Sequence, residues 1–399
     1  MDPLLKLLAA SLLAAAGLWA QTAPARFPEN AGDSESVRDQ QYRQMDRYFD
    51  QQIASAAAAR EKYWSRLDFS SPREFERSAD AYRKDWAQYL GVPEAGGGPL
   101  NVQRTKVKEF DTYTAWRVWF DTVPGVQAYG ILLIPKKPSG PKPALICVHG
   151  HQGTPEIVAG FLPEEALKGN IYRVFGRTAV LRDYVVWCPM ILGYYSEEHT
   201  PQEGPQAQGR DLLHKKALLT SRTLMGLEVA KLRRAVDYLQ TLPEVDRGRI
   251  GIYGLSKGGH YTLYAAGIEA RLRAVVVSGW FNERTKKLTH PKSEATPAPF
   301  LTRIHRSEYY LPGLLDRFGD AELAWMIAPR PLMIEAGTKD NSVNIDFARE
   351  EFQRVRQVYG RLGAADRAEF APFEGPHQID GTRSFPFLDR WLKQAAPSP

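Results

Sequence analysis

The sequence predicts a doubly wound, mostly parallel α/β sheet behind an N-terminal helical extension. Three observations carry this. Strand-like and helix-like runs alternate from residue 143 almost to the C-terminus. The first of them, Pro143–Val148, is wholly apolar, which suits a strand covered on both faces. The hydrophobic period also changes, from helical before residue 90 to two after residue 101. Regular alternation of this kind favours right-handed crossovers on a parallel sheet.

Composition narrows the class. The chain has 399 residues and is 43% hydrophobic, too apolar for a disordered chain. Two cysteines cannot build a disulfide framework or a Cys-rich zinc module. The net charge of +6 is spread along the chain with no Lys/Arg run, so no nucleic-acid partner is expected.

Residues 1–25 read as a secretory signal. Lys6 precedes the apolar run Leu7–Trp19, which is shorter than the roughly 20 residues that span a bilayer, and Ala20 or Ala25 offers a cleavage site. The mature protein is expected to be secreted or periplasmic, without stable membrane insertion. Residues 26–99 form the helical extension, with Tyr42, Met45, Tyr48, Phe49 and then Tyr82, Trp86, Tyr89 at helical spacing and a Gly96-Gly97-Gly98-Pro99 break at its end. The catalytic domain is expected over 100–399.

Val102–Val107, Trp116–Phe120 and Ala128–Ile134 look like strands, with Pro124-Gly125 as a hairpin turn. Further strands are expected at Pro143–Val148, Tyr184–Met190, Arg249–Tyr253, Leu272–Val277, Pro331–Ala336 and Ala368–Phe373. Helices are expected at Ser221–Leu242, Ser256–Ile268, Asn344–Tyr359 with Gly360 ending it, and Phe385–Ala395. The stretch 282–325 is rich in Pro and aromatics and breaks the rhythm. It reads as an insertion over the carboxyl ends of the strands.

The chemistry centres on Gly254-Leu255-Ser256-Lys257-Gly258-Gly259, placed between a strand and a helix. A nucleophile elbow strains its central residue. Side chains two residues before and after would strike the neighbouring strand and helix, which Gly254 and Gly258 avoid. A Ser hydroxyl needs a positioned base. His377 follows the last strand and Asp340 the strand before it, giving the order Ser256, Asp340, His377. Glu335 and Asp346 compete for the acid, but one lies in a strand and the other in a helix. Oxyanion donors are expected from the backbone N–H of Lys257 and from the loop His149-Gly150-His151-Gln152-Gly153, first His151 and then Gln152. His149 and His151, two apart in a loop with no carboxylate nearby, make a poor metal pair, and no metal is expected. His260 is expected to pack behind the elbow.

Together, these motifs resemble the α/β-hydrolase superfamily, and within it the dienelactone hydrolase and acetyl xylan esterase-like branch. The phrase Ile327-Ala328-Pro329-Arg330-Pro331 before the acid strand points the same way. The resemblance implies a Ser-His-Asp carboxylic-ester hydrolase that needs no cofactor, acting on a small-molecule or saccharide ester. The chain departs from the branch in three places. It has Ser256 where dienelactone hydrolases usually have Cys. It has Lys257 and Gln378 where acetyl xylan esterases tend to have Gln and an acidic residue. Tyr194, Tyr195, Trp280 and Arg284 are candidate substrate-binding residues, with Arg284 suited to a carboxylate. A prolyl-oligopeptidase-type serine peptidase and a non-catalytic hydrolase-fold binding protein are the alternatives. Cys147 and Cys188 are expected as buried free thiols on neighbouring strands.

Overall fold

The structure, a computed structural model, describes residues 31–94, 98–136, 140–192, 209–289 and 307–394. The expected signal segment, 1–25, lies outside them. Two compact units divide at Ala58/Ala59. In the first, helix α1 (Ala31–Trp64, whose last residues belong to the second unit) carries Tyr42, Met45, Tyr48 and Phe49 exposed. The second unit, Ala59–Pro399, holds everything else.

Helix α2 (Pro72–Tyr89) begins at Ser71, whose hydroxyl accepts the Glu74 N–H, with Pro72 in the first turn. Its buried stripe is Phe75, Ala79, Tyr82 and Trp86. These residues join the same core as one face of the sheet, so α2 is part of the body that carries the site.

A nine-stranded sheet runs in the order β1-β2-β3-β5-β4-β6-β7-β8-β9. Strands β1 (Gln103–Glu109), β2 (Tyr113–Val123) and β3 (Val126–Pro135) form an antiparallel meander, turned at Pro124-Gly125 as expected. Strand β3 also pairs antiparallel with β5 (Val185–Pro189). From β5 onward the pairs are parallel, through β4 (Lys142–Val148), β6 (Val245–Leu255), β7 (Leu272–Ser278), β8 (Leu332–Gly337) and β9 (Ala368–Phe373). Strand β1 is exposed along its whole length and its Arg104, Lys106 and Lys108 keep this edge charged.

Strand β4 shows why its sequence lacks alternation. Ala144 and Ile146 enter the core on one face, with α6 (Leu224–Thr241) and α7 (Lys257–Ile268). Leu145 and Cys147 enter the core on the other, with α3 (Pro155–Ala159), α4 (Phe175–Leu181) and α10 (Ser384–Lys393). Chain order reverses at β4, which has β5 on one side and β6 on the other. The crevice beyond such a switch point is where open α/β sheets place ligands.

Helices α3, α4, α5 (Gly209–Leu218) and α8 (Asp320–Trp325) are too short for their periodicity to have marked them. Helix α9 (Ile345–Arg361) overruns the expected stop at Gly360. Gly363, at φ +67°, makes the left-handed turn instead, and the Gly363 N–H donates to the Gly360 carbonyl at 3.0 Å.

Trp86 is fully buried, edge-on to Tyr264 of α7 at 4.7 Å. Trp86→Ala is expected to lower the unfolding free energy by about 3–5 kcal/mol. Urea unfolding followed by fluorescence would measure this, and a change below about 1 kcal/mol would contradict α2 as part of the core.

Candidate active site

Ser256 stands between β6 and α7 with φ 60° and ψ −121°. A non-glycine residue holds this backbone only when its surroundings enforce it. Its N–H donates to the Ser278 carbonyl at 2.8 Å, and its carbonyl accepts the His260 N–H at 2.9 Å. The flanking glycines are sterically required. A Cβ at Gly254 would lie 2.3 Å from the Gly258 carbonyl oxygen, and one at Gly258 would lie 2.2 Å from that of Val148. The clash inferred from sequence is therefore real, and at Gly258 it involves the end of β4.

Backbone pairing between the loops after β8 and β9 brings the other two residues together. Thr338 N–H donates to the Phe373 carbonyl and Lys339 N–H to the Gly375 carbonyl, each at 2.9 Å. His377 Nδ1 then meets Asp340 Oδ2 at 2.7 Å. Asp340 Oδ1 accepts the N–H groups of Ser342 at 2.6 Å and Val343 at 3.1 Å, so the buried carboxylate is fixed on both oxygens. The imidazole leans on Gly279, where a Cβ would lie 2.9 Å from its Cε1. Gly279 follows Ser278, which holds Ser256. Thus Asp340 and His377 are in direct contact, and the Ser278-Gly279 backbone joins them to Ser256. Asp346 is turned away, paired with Arg349 at the surface.

The loop after β4 abuts the elbow. A Cβ at Gly150 would lie 3.0 Å from Ser256 Cβ. His149 anchors this loop from below. The Ile191 N–H donates to His149 Nε2 at 3.2 Å, so Nδ1 carries the proton and donates to the Gly150 carbonyl at 2.7 Å. Both ring nitrogens are used within the protein. Burial pulls the His149 pKa down to about 4, against the Gly150 carbonyl, which raises it. Burial pushes the Tyr172 phenol up, and the Gly150 and Gln152 backbone opposes that. His151 is half-buried.

Lys257 is 1% exposed, and its Nζ meets Glu308 Oε1, also buried, at 2.7 Å. The pair ties the residue after Ser256 to a residue within the 282–325 stretch. Sequence reasoning marked Lys257 as a departure without naming its partner. The available signal was a Lys at an obligatorily buried position, which requires a nearby carboxylate.

Arg284 requires correction. It is buried, and its guanidinium is committed to Asp320 and, at 2.8 Å, to the Tyr264 hydroxyl. It braces the insertion and is not available to a substrate carboxylate. Trp280 is also buried, stacked on His260 at 4.0 Å. His260 packs behind the elbow as expected, and among the described residues neither ring nitrogen has a hydrogen-bond partner. Burial, then the charges of Arg284, Lys257 and Lys287, holds its pKa well below the usual histidine range. Tyr309 packs on the same pair. Tyr194 and Tyr195 lie outside the described residues. Cys147 and Cys188 are free and buried.

Two predictions follow from these buried groups. Lys257→Met or Glu308→Leu alone strands a desolvated charge and is expected to cost about 3–5 kcal/mol in urea unfolding, whereas the double variant recovers most of it. Additive losses would contradict a direct pair. The second concerns acid. His149 is neutral when folded and takes up a proton when unfolded, so its contribution is intact above about pH 6.5. It is lost as pH falls toward 4, about 3 kcal/mol in all. His260 acts in the same direction. His260→Phe is therefore expected to lose less stability than the parent between pH 7 and 5, and equal losses would contradict this.

The chain is similar to known esterases. The profile of the acetyl xylan esterase (AXE1) family matches residues 86–288, just over half the chain, including the elbow. The Bacillus subtilis (strain 168) protein YtaP, named as a hydrolase, is 25% identical over 299 residues, covering 74% of this chain and 93% of its own. A Bacteroides fragilis NCTC 9343 structure assigned as an acetyl xylan esterase superposes with TM-score 0.62 at 17% identity, over 80% of this chain and 81% of that one. Acetyl xylan esterase 1 from Thermoanaerobacterium sp. JW/SL YS485 gives 0.54 at 17%, over 77% and 94%. A glucuronoyl esterase from Solibacter usitatus gives 0.55 at 17%, over 78% and 91%. The family match covers the sheet from β1 to β7, and the chain belongs to the acetyl xylan esterase family of α/β-hydrolases, enzymes that cleave carboxylic esters.

Proposed function

We propose that this chain is an exported serine esterase that removes acyl groups from carbohydrates through an acyl-enzyme. The observation that carries the reading is the His377–Asp340 hydrogen bond set against Gly279, one residue from the carbonyl that holds the strained Ser256. Ser256 Oγ attacks the ester carbonyl while His377 takes its proton. His377 returns that proton to the leaving alcohol, then deprotonates the water that releases the acid. Asp340 holds the imidazole with its Nδ1 protonated and stabilises the imidazolium. The N–H of Lys257, first in α7, faces the oxyanion with a second donor from the loop after β4. His151, on the loop that Gly150 brings against Ser256, is the first choice for that donor and Gln152 the second.

The commitment of Arg284 to Asp320 withdraws that guanidinium from a uronate carboxylate. This supports O-acetyl sugars over uronate esters as substrate. Export rests on the Leu7–Trp19 run, and among the described residues no helix is long and apolar enough to cross a membrane.

Ser256→Ala is expected to lower kcat/KM on p-nitrophenyl acetate by at least about 10³-fold and to abolish labelling by a fluorophosphonate. Near-parental turnover in that variant overturns the mechanism. In the same assays, acetylated xylo-oligosaccharides are expected to be cleaved faster than methyl glucuronate esters. The reverse order would overturn the substrate assignment alone.

A further inference from the structure

One buried carboxylate outside the proposed triad bonds the strand that leads to Ser256, the strand beside it and the loop that follows His377. Glu335 lies in β8, paired in register with Ser278 of β7, and is 1% exposed. Its Oε1 accepts the Tyr253 hydroxyl at 2.7 Å, the Ser278 hydroxyl at 2.8 Å and the Asp380 N–H at 3.3 Å. Its Oε2 accepts the Gly381 N–H at 3.0 Å and the Ser384 hydroxyl. These five donors include no Lys or Arg. The site is built to hold a carboxylate by hydrogen bonds alone.

The donors come from defined places. Tyr253 is three residues before Ser256 on β6. The Ser278 carbonyl holds the Ser256 N–H, and the Glu335 carbonyl itself accepts the Gly279 N–H at 3.0 Å, beside the imidazole. Asp340 begins five residues downstream of Glu335. Asp380 and Gly381 lie three and four residues past His377. One side chain therefore bonds the nucleophile strand, the strand against the base, and the loop that delivers the base, from the strand that delivers the acid.

We propose that Glu335 is a positioning residue that sets the His377 loop against the Ser256 elbow. This rests on the triad reading above. Its carboxylate is needed, not only its shape. In Glu335→Gln an –NH₂ replaces one oxygen. Toward Oε1 it would face the Asp380 N–H, and toward Oε2 the Gly381 N–H. A hydroxyl can rotate to accept, but a backbone N–H cannot. Either orientation releases one anchor of the loop.

Three measurements test this. Glu335→Gln is expected to lower kcat on p-nitrophenyl acetate about 10- to 100-fold with KM within about twofold, since small misplacements of a base cost rates of this order. The low-field proton resonance of the His377–Asp340 hydrogen bond is expected to shift or vanish in the same folded variant. A loss of activity that only tracks the folded fraction, with that resonance unchanged, overturns the positioning role. So does unchanged kcat. Should Glu335→Gln not fold, the double variant Tyr253→Phe/Ser384→Ala removes one hydroxyl donor from each oxygen and keeps the charge. It is expected to lower kcat about fivefold at unchanged KM, and parental kcat there overturns the proposal. An active Ser256→Ala enzyme would instead sink the triad, so the two failures are distinct.

Discussion

The positive φ of Ser256 is the constraint around which the rest of the site is arranged. It is stored strain, of order 1–2 kcal/mol, and nothing local relieves it. It persists because β6 and α7 are held too close for another path. The Ser278 carbonyl grips the Ser256 N–H from β7, and the end of β4 lies where a side chain at residue 258 would be. Removing either neighbour would let the turn relax toward an ordinary backbone and withdraw the hydroxyl from the crevice. The sheet order matters for the same reason. Reversal at β4 puts the loop after β4 beside the elbow, and only then can its N–H groups share a space with the hydroxyl.

Much of this was legible in the sequence because it is written in short-range rules. Glycine at 254 and 258 has one steric explanation, and the period-two and wholly apolar runs located the nine strands of the sheet, although β2 and β6 extend beyond the expected Trp116–Phe120 and Arg249–Tyr253 at both ends. Asp340 and His377 were legible because each follows a strand in the required order. What could not be read depends on distance. Arg284 looks free in sequence, and only the fold shows Asp320 across from it. Lys257 calls for a buried carboxylate, but only the fold identifies it as Glu308, 51 residues away. Gly360 looked like the helix stop because a glycine's position cannot by itself tell a left-handed turn from a tolerated interior residue. The helix runs one residue past it, to Arg361, and the left-handed turn comes at Gly363.

The electrostatics behind the elbow follow one pattern. Lys257 is paired with Glu308 and Arg284 with Asp320, and burial holds the pKa values of His149 and His260 below the usual histidine range. Trp280 and Tyr309 close the space between them. The side chains on that side are buried, while His377 keeps some exposure. A proton can reach the candidate base from solvent without passing the packed layer beneath it.

The two cysteines carry a consequence of a different kind. Cys147 and Cys188 lie on adjacent central strands, and burial pushes both thiols far above their ordinary pKa. Folded, they are almost without thiolate, the form that reacts. A cell that exports this chain would hand it to an oxidising milieu with both sulfurs still reduced. Their fate is then decided by timing. A sheet that closes before an oxidant arrives shields them for the life of the fold, whereas a chain caught open exposes two thiols at once. Oxidation would record how quickly each molecule folded, long after folding had ended.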